Sequence, residues 1–274
     1  MTVPAAIRRP AVAGYFYPDE TMTLRREVNR SVPEHPHPAV AVPAAIAPHG
    51  SFLHAGAVLG ATFGGIKIPR RCIALGASHT GSWMPWSLMM SGAYQTPLGE
   101  VPIDETCAEA LQQRCPFLTP DGWGQRGEHA IEVLVPFLQV LGPSDLTLVP
   151  IISGSDDPIE LSELAAALTS VIRMQEEPVL VIASSDLSHY EPEPEGRVQD
   201  EALIKAVCAL DRAALWQCVR EEGMLMCGAN VVAVAMETAE ALGATRGTLL
   251  SYGTSAMAGG DPHSAIGYAG IALQ

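Results

Sequence analysis

Aromatic residues make up only 5% of this 274-residue sequence, and its 16 Lys and Arg are outnumbered by 30 Asp and Glu. With so few rings, Ala, Val, Leu and Ile must fill the core, as expected for a sheet covered by helices. The formal charge of −14 and the pI near 4.9 argue against a nucleic-acid partner, because phosphate contacts need clustered Lys and Arg. The acidity reads as a solubility device. No apolar run reaches transmembrane length, so no membrane span is expected. The opening MTVPAAIRRPAVAGYFYPDE lacks the apolar core of a signal peptide. The six cysteines form no CxxC pair, and without a secretion signal they are expected to be reduced, in the cytoplasm. Neither GxxxxGK[ST] nor GxGxxG occurs, so nucleotide binding has no support. Linkers, repeats and low-complexity tracts are also missing, which predicts one domain over residues 1–274.

What is present is an alternation of strands and helices. AVAVPAAIAP, RCIAL, LTLVPII and PVLVIAS are short apolar strands, and LSELAAALTSVIRMQ and ANVVAVAMETAEALG have helical spacing. A helix is expected from about Asp19 to Asn29 and another from Thr106 to Arg114. EHAIEVLVPFLQVL reads as a helix with Glu128 at its start, where a carboxylate suits the dipole. Residues 197–222 read as helical with a break near Asp211. WSLMMSGAYQT and GEVPID flank a Pro-Leu-Gly turn and predict a hairpin. TLLSYGT and HSAIGYAGIAL close the chain as strands. The expectation is an α/β single-domain layered fold, with a central mixed, largely parallel sheet flanked by helices.

Reactive side chains fall where strands run out. His49 follows AIAP, His79 follows ALGAS, His189 ends IASSDLSH, and Cys227 precedes a helix in LMCGAN. The crevice beyond strand C-termini is where ligands collect in open α/β sheets. Imidazoles and a thiol converging there suit a metal, or a nucleophile with its base. Each residue has a bland reading as well. His49 alone reads as a hydrogen-bonded structural residue, and His54 as its partner or as a cap of the next helix. GASHTG misses the hydrolase elbow GxSxG, because Thr80 replaces its second Gly and weakens Ser78 as a nucleophile. Asp186 and His189 are three apart; on one turn, the carboxylate orients the imidazole as a general base or acid. Cys227 at a helix start is expected to have a lowered pKa, unless it is a buried, inert thiol. Glu128 and His129 read as a capping pair. Tyr252 and His263 flank a Gly-rich loop and can line a pocket. His35 and His37 sit in the Pro-rich loop SVPEHPHP and read as solvated.

In order, RRPAVAGYFYP, APHG, GASHTG, GEHAIEVLVPFL, SSDLSHYE, MCGAN and YGTSA…AIGYAGIAL resemble the landmark segments of the Memo family, whose bacterial and archaeal members are called AmmeMemoRadiSam system protein B. The resemblance implies a fold similar to the class III extradiol dioxygenases, which hold non-haem Fe(II) on two His and a carboxylate. It implies His49, His79 and Cys227 as metal ligands, His189 with Asp186 as the catalytic pair, and Glu128 and His129 in the pocket. Iron (Fe2+) is the expected metal and copper the alternative, since Cys with His disfavours Mg and Ca. The implied function is a metal-dependent redox enzyme acting on an unknown small-molecule substrate. The alternative is a non-catalytic metal-handling or interaction protein with radical-SAM and AMMECR-type partners, and a weaker one is a Cys/His hydrolase. The sequence departs from the family at APHGSF for APHAGY, GEHA for DEHS and YGTSA for a YAQSS-like segment, which alters the pocket wall. A thiolate beside Fe(II) and O2 is itself oxidisable, so the fold does not license dioxygenase activity.

Overall fold

The chain begins with β1 (Ile7–Arg8), α1 (Thr21–Ser31), β2 (Ala44–Ala47), α2 (Phe52–Gly65) and β3 (Arg71–Ala77). Next come β4 (Trp86–Leu88), β5 (Ala93–Thr96), β6 (Gly99–Pro102), α3 (Glu105–Arg114) and β7 (Thr119–Pro120). A 3-10 turn (Glu132–Leu134) leads into α4 (Val135–Leu141), then β8 (Thr147–Ser153), α5 (Pro158–Arg173), β9 (Val179–Ser184) and β10 (His189–Glu191). The chain closes through α6 (Glu193–Cys208), α7 (Arg212–Trp216), α8 (Ala229–Ala241), β11 (Gly247–Thr254) and β12 (Ala265–Leu273). This is a computed structural model, and it describes residues 7–34, 38–81, 85–121 and 124–274; the His35 and His37 pair lies outside them.

The main sheet runs β10-β12-β2-β9-β3-β8-β4-β7, with β11 on the free side of β12. Its centre, β2-β9-β3-β8, is parallel. β12 pairs antiparallel with β2, and β4 antiparallel with β8. The sheet is therefore mixed: its centre is parallel, antiparallel pairs flank that centre on both sides, and β7 at one edge pairs parallel with β4. Side chains alternate between two cores. Ile73, Leu75, Val181 and Ala183 face one core, with α3, α5, α6 and α8. Cys72, Ala74, Leu180 and Ile182 face the other, with α1, α2 and α4. Each fully buried Leu or Ile contributes about 1.5–3 kcal/mol. That double covering is what allows strands as short as the four residues of β2 to hold the centre.

β1, β5 and β6 form a separate three-stranded sheet. The β5–β6 hairpin turns at Pro97-Leu98, and Gly99 enters the second strand at φ 119°. The expected hairpin thus holds over 93–102, whereas Trp86–Leu88 joins the main sheet instead. The helix expected to start at Glu128 starts later: Val135 begins α4 with a proline in its first turn, a position that suits a residue without an N–H. Glu128 lies upstream in a loop. The break near Asp211 is real, since its carboxylate accepts from Ala214 N and caps α7. Among the described residues, no helix is long and apolar enough to cross a membrane.

Candidate metal centre

Three parallel strands end side by side and deliver most of the site. β2 ends at Ala47, two residues before His49; β3 ends at Ala77, two before His79; β9, between them, ends at Ser184. His129 comes from the loop before the 3-10 turn, and Cys227 from the residues just before α8. One ligand atom each from His49, His79 and His129 lie within 4.8 Å of one another. The ring centroids are 4.9 Å apart for His49 and His79, 5.4 Å for His49 and His129, and 4.6 Å for His79 and His129. Three neutral imidazoles at this spacing suit a first-row transition metal, so the residues present fit a bound ion.

Hydrogen bonds set the ring orientations. Ser184 Oγ donates to the Ala130 carbonyl at 2.5 Å. Its only proton is used there, so at 2.8 Å His49 Nδ1–H must donate to Ser184 Oγ. His49 Nε2 therefore keeps its lone pair. Glu128 fixes the second ring: its carboxylate accepts from His79 Nδ1 at 2.9 Å and from His79 N at 2.5 Å. It also accepts from His129 N at 2.9 Å and Ala130 N at 3.1 Å. A ligating His commonly donates its other nitrogen to a carboxylate in this way. Burial opposes the charge on Glu128, but these donors outweigh it and hold its pKa down to about 2. The Glu128 hydrogen bond raises the pKa of His79. Burial, and the positive charge that His79 can carry, lower those of His49 and His129.

The loop behind Glu128 is stapled from below. Arg8, fully buried, pairs with buried Glu132 and donates to the Gln125 carbonyl at 3.0 Å and the Glu128 carbonyl at 2.5 Å. Glu132 also accepts from Ala11 N, Val12 N and the Tyr17 hydroxyl. The N-terminal segment is thereby drawn under the site, and the Phe16 ring meets the His129 ring edge-on at 4.9 Å.

Cys227 and Asp186 lie on the other side of His49. Cys227 Sγ is 3.4 Å from His49 Nε2 and accepts from Asp186 N at 3.3 Å. The Asp186 carboxylate accepts from His49 N at 2.8 Å, and its Oδ2 lies 3.9 Å from His49 Nε2. Burial raises the pKa of Asp186. Burial, then the Asp186 carboxylate, push the Cys227 thiol up to about 12. The lowering expected from the helix start is overturned, because desolvation of a buried thiolate exceeds the pull of the dipole.

His189 begins β10, and its Nδ1 is 2.6 Å from the Leu187 carbonyl. Asp186 does not share a helical turn with it: residues 185–188 are irregular, and the carboxylate serves His49. His54 Nδ1 bonds Ser51 Oγ at 3.1 Å, at the start of α2. Tyr252 donates to buried Asp200 at 2.6 Å, which occupies the hydroxyl. Ser78 N donates to the Ser153 carbonyl. His263 N donates to Asp261 on an exposed turn. The three-histidine group thus takes in His129, read from sequence only as a pocket or capping residue. The one sequence pointer to it was the adjacent Glu128; that this carboxylate is buried and takes several donors appears only in the structure. Arg8 and Ser184 open the RRPAVAGYFYP and SSDLSHYE segments, but nothing in those segments singled them out as supports of the site.

The fold and site define a class: a mixed α/β protein with a three-histidine candidate metal centre beyond the C-terminal ends of its parallel strands. The chain belongs to the Memo family, whose model, described as Memo-like protein, matches residues 8–272. It is 33% identical over 279 residues to a MEMO1 family protein of Methanopyrus kandleri, covering 97% of this chain and 99% of that one. It is 32% identical over 265 residues to a MEMO1 family protein of Aquifex aeolicus, covering 97% and 98%. In fold it is similar to an uncharacterized protein of Escherichia coli K12, with a TM-score of 0.55 at 15% identity over 85% of this chain and 100% of that one.

Proposed function

We propose that this protein is a non-haem metal-dependent redox enzyme acting on a small molecule, with iron (Fe2+) as its metal and copper the alternative. His49, His79 and His129 would hold the ion, with Cys227 beside His49 as a further ligand. The observation that carries this reading is the triad within 4.8 Å, in which His49 Nδ1 and His79 Nδ1 are both committed to other partners. A bound transition metal supplies one-electron chemistry and Lewis acidity at the open side of the triad. The protein's residues do the rest. Glu128 holds His79, and the Ser184 relay holds His49, in the tautomer that donates from Nδ1 and leaves Nε2 free. His189 is the candidate proton carrier, oriented by the Leu187 carbonyl. The cytoplasm is the proposed compartment.

Elemental analysis of untagged, anaerobically purified protein tests the reading. Near-stoichiometric iron or copper is expected, lost in His49→Ala and His129→Ala. Cys227→Ala separates the ligand sets: loss of the metal makes the thiol a ligand, and retention leaves the three histidines as the centre. No metal in the wild-type protein, even after anaerobic reconstitution, would sink the reading.

A metal-handling role with radical-SAM and AMMECR-type partners is the second reading, favoured by the thiol 3.4 Å from His49 Nε2, a group that O2 at the metal would oxidise. Metal-dependent pull-down of such a partner without substrate turnover would support it. A hydrolase is disfavoured. Cys227 faces His49 rather than His189, and burial keeps that pair neutral instead of forming thiolate and imidazolium.

A further inference from the structure

The six tyrosines divide by what their hydroxyls do. Tyr15 and Tyr190 are exposed. Tyr17 donates to Glu132, Tyr94 to Gln125 and Tyr252 to Asp200. Tyr268 is the exception: its side chain is only 2% exposed, yet among the described residues its hydroxyl has no hydrogen-bond partner, and it is not sealed from solvent. A buried tyrosine hydroxyl ordinarily finds an acceptor. The position of Tyr268 on β12 explains what it faces. Leu187 N donates to the Gly267 carbonyl, and Gly267 N to the Ser188 carbonyl, so Tyr268 follows directly on the pairing with the loop that carries Asp186. Its ring packs on Gly50, the residue after His49. A methyl placed on Gly50 would come within 2.7 Å of the ring and 3.0 Å of the hydroxyl. Gly50 follows His49, whose N donates to the Asp186 carboxylate at 2.8 Å, and that carboxylate reaches within 3.9 Å of His49 Nε2. The hydroxyl therefore lies beside Gly50, the residue next to His49, where the missing side chain makes room for it.

We propose that the Tyr268 hydroxyl is the hydrogen-bond donor for a small oxyanion, of which a carboxylate is the simplest, bound at the His49–His79–His129 centre. The proposal rests on the metal-site reading above. The centre supplies the attraction for an anion: a divalent ion held by three neutral imidazoles, even with Cys227 as a thiolate ligand, keeps positive charge on its open side. Tyr268 supplies direction. Burial, with Asp186 and Tyr190 nearby, raises its pKa, so at neutral pH the phenol stays protonated and can donate.

The test uses Co(II) as the metal and acetate as the oxyanion, read by the visible spectrum of the bound Co(II). Wild type, Tyr268→Phe and Tyr252→Phe are expected to take up Co(II) equally. Acetate affinity is expected to fall about tenfold in Tyr268→Phe, the loss of one hydrogen bond, and to stay unchanged in Tyr252→Phe. Melting temperatures should show the opposite pattern: Tyr252→Phe takes a donor from buried Asp200 Oδ2 and melts lower, whereas Tyr268→Phe removes no hydrogen bond made among the described residues. If Tyr268→Phe fails to fold, Gly50→Ala serves instead; its methyl displaces the ring, and the same loss of acetate is expected. Equal acetate affinity in Tyr268→Phe and wild type, or no acetate response in wild type, overturns the proposal while leaving the metal site standing. Failure of the wild type to bind Co(II) overturns the metal-site reading itself.

Discussion

The two sides of the centre are held by different physics. On the His79 side, one ionised carboxylate accepts four N–H donors, and the loop behind it is pinned by the buried Arg8–Glu132 pair. On the His49 side, a neutral relay runs from Nδ1 through the Ser184 hydroxyl to the Ala130 carbonyl, with a protonated thiol against Nε2. Charge-assisted bonds are shorter and roughly twice as strong as neutral ones. The His79 side is therefore the rigid part of the site, and the His49 side, with Cys227 and Asp186, is the part that can adapt to what binds.

The largest effect should come from breaking the rigid side at its root. Arg8→Ala leaves Glu132 buried without its cation and frees the Glu128 carbonyl, so it should cost about 3–5 kcal/mol in urea denaturation; a cost under about 1 kcal/mol would show that the staple is not what holds the loop. Next is Glu128→Gln, which keeps the shape and removes the charge. Metal affinity measured calorimetrically should fall about 10–100-fold, and an unchanged value would remove Glu128 from its orienting role. Ser184→Ala breaks the neutral relay and should lower metal affinity less than tenfold, in line with one neutral hydrogen bond of about 1 kcal/mol. If it costs more than Glu128→Gln, the ranking of the two sides is reversed.

The smallest effects are in titration of the metal-free protein. His79, raised above 6.5 by its bond to Glu128, contributes stability that is complete below pH 6.5 and is lost as pH rises through its raised value. Glu128, lowered from 4.5 to about 2, contributes stability that is complete above pH 4.5 and is lost as pH falls through about 2. His49 and His129 are lowered from 6.5 by burial, so their contribution is complete above pH 6.5 and is lost as pH falls below it. Histidine ring-proton NMR should show His79 titrating above 6.5 and the other two below. The reverse order would sink the distinction between the sides.

Much of the fold was readable from residue order. Fully apolar runs such as PVLVIAS, bounded by turns, could only be covered strands, and their alternation with amphipathic helices implied the layers. The reading was weakest where local pattern met tertiary demand. The EHAIEVLVPFLQVL segment has helical spacing from its start, yet Glu128–Ala130 form a loop, in which His129 N and Ala130 N satisfy the buried Glu128 carboxylate rather than a helix ladder. Asp186 and His189 have the spacing of a helical turn, yet the segment between them is irregular and each finds a different partner.

The sequence by itself determined the strand ends, and with them His49 and His79, because apolar run lengths dictate where each strand must stop and its loop begin; Cys227 was placed by the helix that starts after it. Only the tertiary structure decided that His129 joins His49 and His79, that Ser184 and Glu128 choose their tautomers, and that the Tyr268 hydroxyl is left without a partner among the described residues. Those outcomes depend on which groups meet across strand order β2-β9-β3 and on which hydroxyl and imidazole protons are already spent, and neither is encoded in the spacing of any one segment.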